Sequence, residues 1–334
     1  MFKRLFLLFI ILFCLCDRVN AGTVLTPSEG SPSLFLGTRN HWGEPRSARF
    51  IGNCQFLPSG HIFPGYLADV AESRIAGVWN KDNHFGWIWD ATLGGRIAAL
   101  RIGSRGCDRP TGFQIDFEGS AHLRLDFENE FELYSTDYRA GLPITWGGQY
   151  WQFKTGYCHV SSHIGDEYFI RRLIPSLEAG ERFRQHRFRT SYSRDSLLLA
   201  VAFRPHPNMR LYSEADFNVG NVGSANENRK SYAVLRFGVE YSPPLTTNTP
   251  NRLNFMNLPN LAHIRPFAAI HSNLFEQFRY SGNVCIQIGL QNRGSNNQLF
   301  RIGVQYFYGV SEQYQFAAMY PPENKFGFGV WYDY

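Results

Sequence analysis

Apolar and polar side chains alternate strictly along several segments of this chain of 334 residues. In the clearest segment, 112–127, the odd positions are apolar or small, as at Phe113 and Leu125, and the even positions are polar, as at Asp116 and Arg124. Successive side chains of a β-strand point to opposite faces, so this segment predicts a strand with one apolar and one charged face. It is longer than the usual strand of about 5–6 residues.

The same alternation recurs along the chain and predicts twelve strands, at about 74–80, 87–102, 112–125, 134–146, 150–161, 191–204, 209–219, 231–241, 265–274, 283–291, 299–308 and 326–334. A series of long alternating segments, even in number, is typical of a single-chain transmembrane β-barrel. A soluble sandwich shares the period, but its strands are shorter and its second face carries fewer charges. The sequence therefore predicts an all-β fold, a closed antiparallel transmembrane β-barrel of about 12 strands with a polar lumen.

The strand order predicts which connections share one end of the barrel. The short connections 147–149, 205–208 and 292–298 are predicted to be periplasmic turns, and the longer 162–190 and 309–325 to be extracellular loops. Short turns inside and long loops outside are usual for such barrels. The segment 242–264 is the exception, because it is long and yet falls on the periplasmic side.

The N-terminus has the features of a secretory signal peptide. Lys3 and Arg4 precede an apolar run from Leu5 to Cys16, and Ala21 ends a small-residue cleavage site. The run is too short to cross ~30 Å of hydrocarbon as a helix. We therefore predict a signal peptide at 1–21, a periplasmic N-terminal segment at 22–73 and the barrel at 74–334, located in the bacterial outer membrane after export across the inner membrane.

Composition excludes several other classes of protein. Charged residues make up only 18% of the chain and aromatic residues 16%, which excludes a disordered chain, a coiled coil and a collagen-like protein. The formal charge of +5 is not concentrated in one segment, so no nucleic-acid partner is predicted. The predicted partners are outer-membrane lipids and the barrel-assembly machinery, which would bind the last strand from Phe326 to Tyr334. A homodimer is left open.

The charged faces of the predicted strands carry both signs, which favours a packed ion-pair network over a wide pore. These lumen charges are Asp116, Glu118, Arg124, Asp137, Arg139, Arg194, Glu214, Arg236, Glu240 and Arg301. The first functional interpretation is therefore a narrow barrel with a structural or channel-like role.

Four cysteines remain after removal of the signal peptide. Cys54 and Cys107 both fall on the predicted periplasmic side and could form a disulfide, whereas Cys158 and Cys285 face the lumen on separate strands. Four free thiols are the open alternative.

One set of polar residues falls on the lipid face of its strands. In 151–163 the odd positions face lipid, and they include His159 and Ser161; Asp195 has the same parity at the start of the next strand. Polar groups are costly on a lipid face, so they call for a functional reason. Ser161 as nucleophile, His159 as base and Asp195 as the orienting acid would form a hydrolase triad. A strand end in contact with water and headgroups is the alternative.

The run from Gly156 to Ser161 resembles the active-site strand of outer-membrane phospholipase A, a twelve-stranded barrel, and of lipid A deacylases. The resemblance implies that His159 and Ser161 are the His-x-Ser pair, with Asp195 where that phospholipase has Asn. Ser162 also departs from the family, which has Asn after the serine. The phospholipase resemblance further implies a Ca²⁺ site, for which His163 and the carboxylates of Asp166 and Glu167 are the candidates. A solvated loop tip is the alternative.

A broader resemblance covers 55–334. The segments 57–60, 89–96, 161–167 and 331–334 resemble the uncharacterised bacterial family called domain of unknown function 1207, which supports the barrel and implies no activity. The sequence is therefore compatible with two functions, a passive or channel-like barrel and a serine lipid acyl hydrolase of the outer leaflet.

Overall fold

The structure is a computed structural model that describes residues 54–105, 109–178, 191–221, 232–243, 264–294, 297–317 and 320–334. The predicted signal peptide and residues 22–53 lie outside the described residues. Thirteen strands form one sheet: β1 Cys54–Phe56, β2 Ile75–Asp82, β3 Gly86–Gly103, β4 Gly112–Asp126, β5 Leu133–Gly147, β6 Trp151–Ile164, β7 Ser191–His206, β8 Met209–Asn221, β9 Ala233–Tyr241, β10 Ile264–Phe275, β11 Ser281–Arg293, β12 Leu299–Gly309 and β13 Glu323–Asp333.

The sheet closes into a barrel of twelve strands, β2 to β13, as the sequence predicts. Each strand pairs antiparallel with its neighbours in the chain, and β13 pairs with β2 to complete the ring. The short strand β1 is an addition that the alternation did not predict. It pairs with the end of β3 beyond a register shift between Ala98 and Leu100, where β3 extends past β2.

Burial alternates along the strands in the predicted sense. In β6 the side chains of Gln152, Lys154 and Cys158 are buried in the lumen, whereas Trp151 and Phe153 are exposed outside. The exterior carries the large apolar side chains, and the polar and charged ones point inward. Closure and alternation together leave every strand of the ring paired on both sides, with an apolar outer surface.

The two ends of the barrel differ. We call the end at which β2 begins and β13 finishes the lower end, and the opposite end the upper end. The connections 148–150 and 207–208 at the lower end are short, and 165–190 and 310–322 at the upper end are long. Part of the connection 165–190 is a contiguous helical segment, which we call α1. It is made of Asp166–Tyr168, Phe169–Leu173 and Ile174–Glu178.

Residues 57–74 fill the lower part of the lumen, and we call them the N-terminal plug. The sequence analysis predicts a periplasmic N-terminal segment at 22–73 and does not place any of it in the lumen, whereas Phe63 and Tyr66 are buried there. The Tyr66 hydroxyl donates to Glu214 at 2.8 Å, and the Leu67 amide donates to Glu240 at 2.7 Å. Charged wall residues thus gain partners from the plug, which alternation within strands does not reveal.

A second segment fills the upper part of the lumen. Residues 311–316 of the loop between β12 and β13 fold inward, where Gln313 accepts from Ser135 at 2.9 Å and Gln315 donates to the Ser162 carbonyl at 2.8 Å. Phe316 packs there with Tyr168 of α1 in an apolar cluster. Residues from two connections therefore close the upper end.

Ion pairs join the remaining charges of the lumen, as predicted. Glu214 receives Lys154 at 2.6 Å and Arg236 at 2.7 Å. Asp137 differs from the other predicted lumen charges, because Ser162 and the Tyr314 amide donate to its carboxylate instead of a cation. Ion pairing of most of these residues makes so many charges tolerable away from water.

Aromatic side chains flank the apolar exterior at both ends. Near the lower end Trp146 packs on Phe153 at 5.4 Å between ring centroids, and Trp151 packs on Phe203 at 4.6 Å. Exposed aromatic residues near the upper end include Trp87, Phe127, Phe131, Tyr280 and Tyr308. Such paired girdles are typical of the two interfaces of a membrane. Among the helices in the described part of the chain, none has the length and apolar character needed to cross a membrane.

Candidate functional site

The candidate site lies on the outer wall near the upper end, where β6 and β7 pair. The register sets His159 opposite Asp195 and Ser161 opposite Ser193. The three predicted residues therefore share the outer face, because their parity matches that of the exposed residues Tyr157 and Leu197. The His159 side chain is 38% exposed and that of Asp195 22%.

His159 and Asp195 are in direct contact. His159 Nδ1 lies 2.7 Å from Asp195 Oδ1, and the Tyr157 hydroxyl donates to the same carboxylate oxygen. A carboxylate on Nδ1 places the proton on that nitrogen and leaves Nε2 as the basic one. Two of the three predicted catalytic residues thus have the arrangement of a base and its orienting acid.

Ser161 has a different partner from the predicted one. Its Oγ lies 2.9 Å from His163 Nε2 instead of bonding to His159. His159 and His163 stand two residues before and two residues after Ser161 on the same face of β6. Both imidazoles therefore lie one step from Ser161 along the same face of the strand, and the hydroxyl bonds to that of His163.

Sequence reasoning did not assign Tyr157 and His163 to this set. Tyr157 and His163 occupy odd positions of β6, as His159 and Ser161 do. The alternation that indicated His159 and Ser161 could therefore have identified these two residues as well. An aromatic residue such as Tyr157 is common on a lipid-facing strand, and His163 also stands next to the predicted Ca²⁺ carboxylates. The five side chains form one continuous polar strip across β6 and β7.

The metal prediction at Asp166 and Glu167 has no support from the geometry. Both residues are exposed at the start of α1. Among the residues that the structure describes, no group of three or more His, Cys, Asp or Glu side chains lies together in a way that could hold a metal ion. The Ca²⁺ site therefore stays a prediction, and we derive no step through a metal.

The cysteines divide into two kinds. Cys54 is disulfide-bonded, and Cys107, its predicted partner, lies outside the described residues, so the pairing stays a prediction. Cys158 and Cys285 are buried in the lumen as free thiols. The predicted partners of the whole protein, namely lipids, the barrel-assembly machinery and a second copy of the chain, also stay predictions.

Solved barrels with similar architecture have low sequence identity to this chain. Outer membrane phospholipase A from Escherichia coli is 12% identical, with 78% of this chain and 89% of that chain covered and a TM-score of 0.47. The Salmonella typhi outer membrane phospholipase dimer with bound calcium is 13% identical, with 78% and 90% covered and a TM-score of 0.47. The β-domain of the Bordetella autotransporter BrkA is 12% identical, with 78% and 97% covered and a TM-score of 0.38.

These similarities concern the barrel architecture and transfer no activity to this chain. A comparison with curated proteins gave no match. A family model does match, from residue 46 to residue 334, which is most of the chain. The chain therefore belongs to the family described as "Protein of unknown function (DUF1207)".

Proposed function

We propose that this protein is a bacterial outer-membrane barrel that hydrolyses acyl esters of membrane lipids on its outer wall, with Ser161 as the nucleophile. The observation that carries the proposal is the contact of His159 Nδ1 with Asp195 at 2.7 Å beside Ser161. A serine flanked by an oriented imidazole is the arrangement that activates a hydroxyl for acyl transfer.

The height of the site on the barrel suits this substrate. A tilted strand climbs ~2.3 Å along the barrel axis per residue, from a rise of ~3.3 Å and a tilt of ~45°. Ser161 then lies ~23 Å above the lower girdle residue Trp151, close to the far edge of an apolar band ~25 Å tall. Lipid ester groups lie at this boundary, where the acyl chains meet the headgroups.

The proposed reaction has two stages. Ser161 Oγ attacks the ester carbonyl carbon and passes its proton to His159 Nε2, forming a tetrahedral intermediate. The ester bond then breaks, the imidazolium gives that proton to the departing lipid alkoxide, and an acyl-serine remains. In the second stage water attacks the acyl-serine, His159 relays its proton to Oγ, and a fatty acid leaves.

The two histidines have separate roles in this proposal. His159 is the base, because Asp195 is bonded to its other nitrogen and stabilises the imidazolium that forms. His163 holds the Ser161 hydroxyl when no substrate is bound. Tyr157 is a positioning residue, since its hydroxyl donates to Asp195 and fixes the carboxylate beside His159.

The test is fatty-acid release from mixed micelles of phospholipid and detergent by the purified, refolded protein. Ser161→Ala should lower the rate at least ~10³-fold and His159→Ala similarly, whereas His163→Ala should change it less than ~10-fold. A fluorophosphonate probe should label the wild-type protein at Ser161. Equal fatty-acid release by the wild type and Ser161→Ala would remove the proposal.

Ser193 offers a matched control for this test. It faces outward on β7 directly opposite Ser161, but no histidine hydrogen-bonds to it in the described part of the chain. Ser193→Ala should keep the wild-type rate and the wild-type labelling. Loss of activity in this variant would mean that any change on this patch of the wall is damaging and that Ser161 is not special.

A closed structural barrel is the second candidate. The filled lumen favours this candidate. The N-terminal plug and residues 311–316 occupy the interior, and ion pairs join most of the predicted lumen charges. The same filling argues against the channel-like reading. An absence of fluorophosphonate labelling and of fatty-acid release from every lipid tested would leave this second candidate.

A further inference from the structure

A cavity of about 100 Å³ opens at the lower end of the barrel, far from Ser161. Its walls come from the N-terminal plug, including Pro64 and Gly65, and from the lower ends of several strands. The volume is well above what one water molecule needs. A small ligand in this cavity would touch both the plug and the barrel wall.

Four arginines from separate parts of the chain line this cavity: Arg109 before β4, Arg204 of β7, Arg210 of β8 and Arg293 at the end of β11. The described acidic residues that line it are Glu240 and Asp333. Asp333 is already bound by Arg74 at 3.0 Å and by Arg301 at 2.8 Å. Four arginines and two carboxylates, one of which is already paired with two other arginines, thus line one concave space.

Arg204 is the least neutralised of the four. Its guanidinium makes no hydrogen bond or ion pair with any residue that the structure describes; the other three arginines repel its charge, and Glu240 attracts it more weakly. Arg210 differs, because it bonds Glu240 at 3.2 Å and the Pro64 carbonyl at 2.9 Å. A partly buried cation among like charges is unfavourable without an anion.

We propose that this cavity is a binding site for a phosphate group, held by Arg204 with Arg210 and Arg293 and lying between the plug and the wall. Planar guanidinium groups bind phosphate oxygens two at a time, and several of them around one concave space match the charge of a dianion. The bound phosphate stabilises the plug in the lumen because it links plug and wall.

The test uses ³¹P line broadening of inorganic phosphate by the full chain in a neutral detergent. Arg204→Gln should weaken binding at least ~10-fold, and Arg204→Lys, which keeps the charge but loses the fork, should weaken it less. The control is Arg171→Gln on α1, at the opposite end, where the side chain is 70% exposed. This control should bind phosphate as the wild type does.

A second measurement does not depend on the variants folding. Phosphate should raise the thermal unfolding midpoint of the wild type above that in chloride at equal ionic strength. The proposal is overturned when the wild type neither broadens the phosphate signal nor responds in this way. It is also overturned when Arg204→Gln, folded as judged by its gel mobility without heating, binds phosphate equally well.

Two sources could supply the phosphate group, free phosphate of the periplasm or the headgroup of an inner-leaflet lipid. Competition by short-chain phosphatidic acid separates them. Displacement of inorganic phosphate at a much lower concentration of the lipid than of glycerol 3-phosphate identifies the headgroup, and equal displacement by the two identifies the free anion. Both results support the site, and failure of all three ligands contradicts it.

Discussion

Tyr212 crosses the inner wall of the barrel over a single glycine. Its ring lies on Gly238, its directly opposed neighbour on β9, and its hydroxyl reaches His271 Nδ1 on β10 at 2.8 Å. It also stacks on Tyr66 of the plug, with 4.0 Å between ring centroids. A side chain at position 238 would occupy the space of the Tyr212 ring, so the glycine permits the contact between wall and plug.

Gly238→Ala should therefore destabilise the barrel by about 1–3 kcal/mol, because the added methyl displaces Tyr212 from both partners. Reversible urea unfolding in lipid vesicles measures this change. The matched control is Gly119→Ala on β4, where an added Cβ would meet its nearest atom at 3.7 Å. A loss of stability as large in Gly119→Ala would show that any methyl on the wall is harmful.

The catalytic proposal also depends on single residues, and here the sequence predicted half of the arrangement. The pairing of His159 with Asp195 follows from parity and from the connection between β6 and β7, so it could be expected. The bond from Ser161 to His163 could not be expected. His159 and His163 both stand two residues from Ser161 on the same face of the strand, so the sequence does not distinguish them as partners of the hydroxyl.

Among the connections, the upper loop between β12 and β13 has an unusual charged residue. Glu312 contacts Arg124 at 2.6 Å and also Lys325, with Glu323 and Asp90 around the same two cations. Three carboxylates therefore share two positive charges. Burial, together with the nearby Glu323 and Asp90, raises the pKa of Glu312 to about 7, despite the attraction of Lys325 and Arg124.

The docking of this loop should depend on pH. Because the pKa of Glu312 is higher in the folded protein than in the unfolded chain, its contribution is full below about pH 4.5, declines as the pH rises and is absent above about pH 7. Wild-type unfolding free energy should fall by up to about 3 kcal/mol more than that of Glu312→Gln across this window. Equal pH profiles of the two proteins would contradict the prediction.

Elements of the barrel wall were predictable for a physical reason. An apolar exterior and a charged interior require a side-chain period of two along each strand, and all twelve predicted strands are present within a few residues of their observed ends. The segment 57–74 has no such period. Its partners, such as Glu214 and Glu240, lie more than a hundred residues away, so its place in the lumen could not be inferred from local pattern.

At the scale of the whole molecule, the filled lumen determines what can pass through the barrel. The N-terminal plug occupies the lower part and residues 311–316 the upper part. We expect no conductance steps from the wild type in planar bilayers. Deleting 58–72 should produce resolvable steps, because it removes the lower filling and leaves the wall charges facing water.

Tyr66→Phe is the control for this experiment. It removes the hydroxyl bond to Glu214 but keeps the ring stacked on Tyr212, so the plug should remain in place and the variant should be silent. Conductance steps from the wild type as large as those from the variant that lacks 58–72 would show that the plug does not block the barrel.

The seam between β2 and β13 has a consequence for biogenesis. The plug directly precedes β2, and Arg74, its last residue, is bound to Asp333 at the end of β13. Pairing of β2 with β13 thus also brings Arg74 into contact with Asp333. We expect insertion intermediates that still lack this seam to leave residues 57–74 accessible to proteases, and mature protein to shield them. Insertion of the plug into the lumen and closure of the barrel would then occur together, in a single late step of assembly.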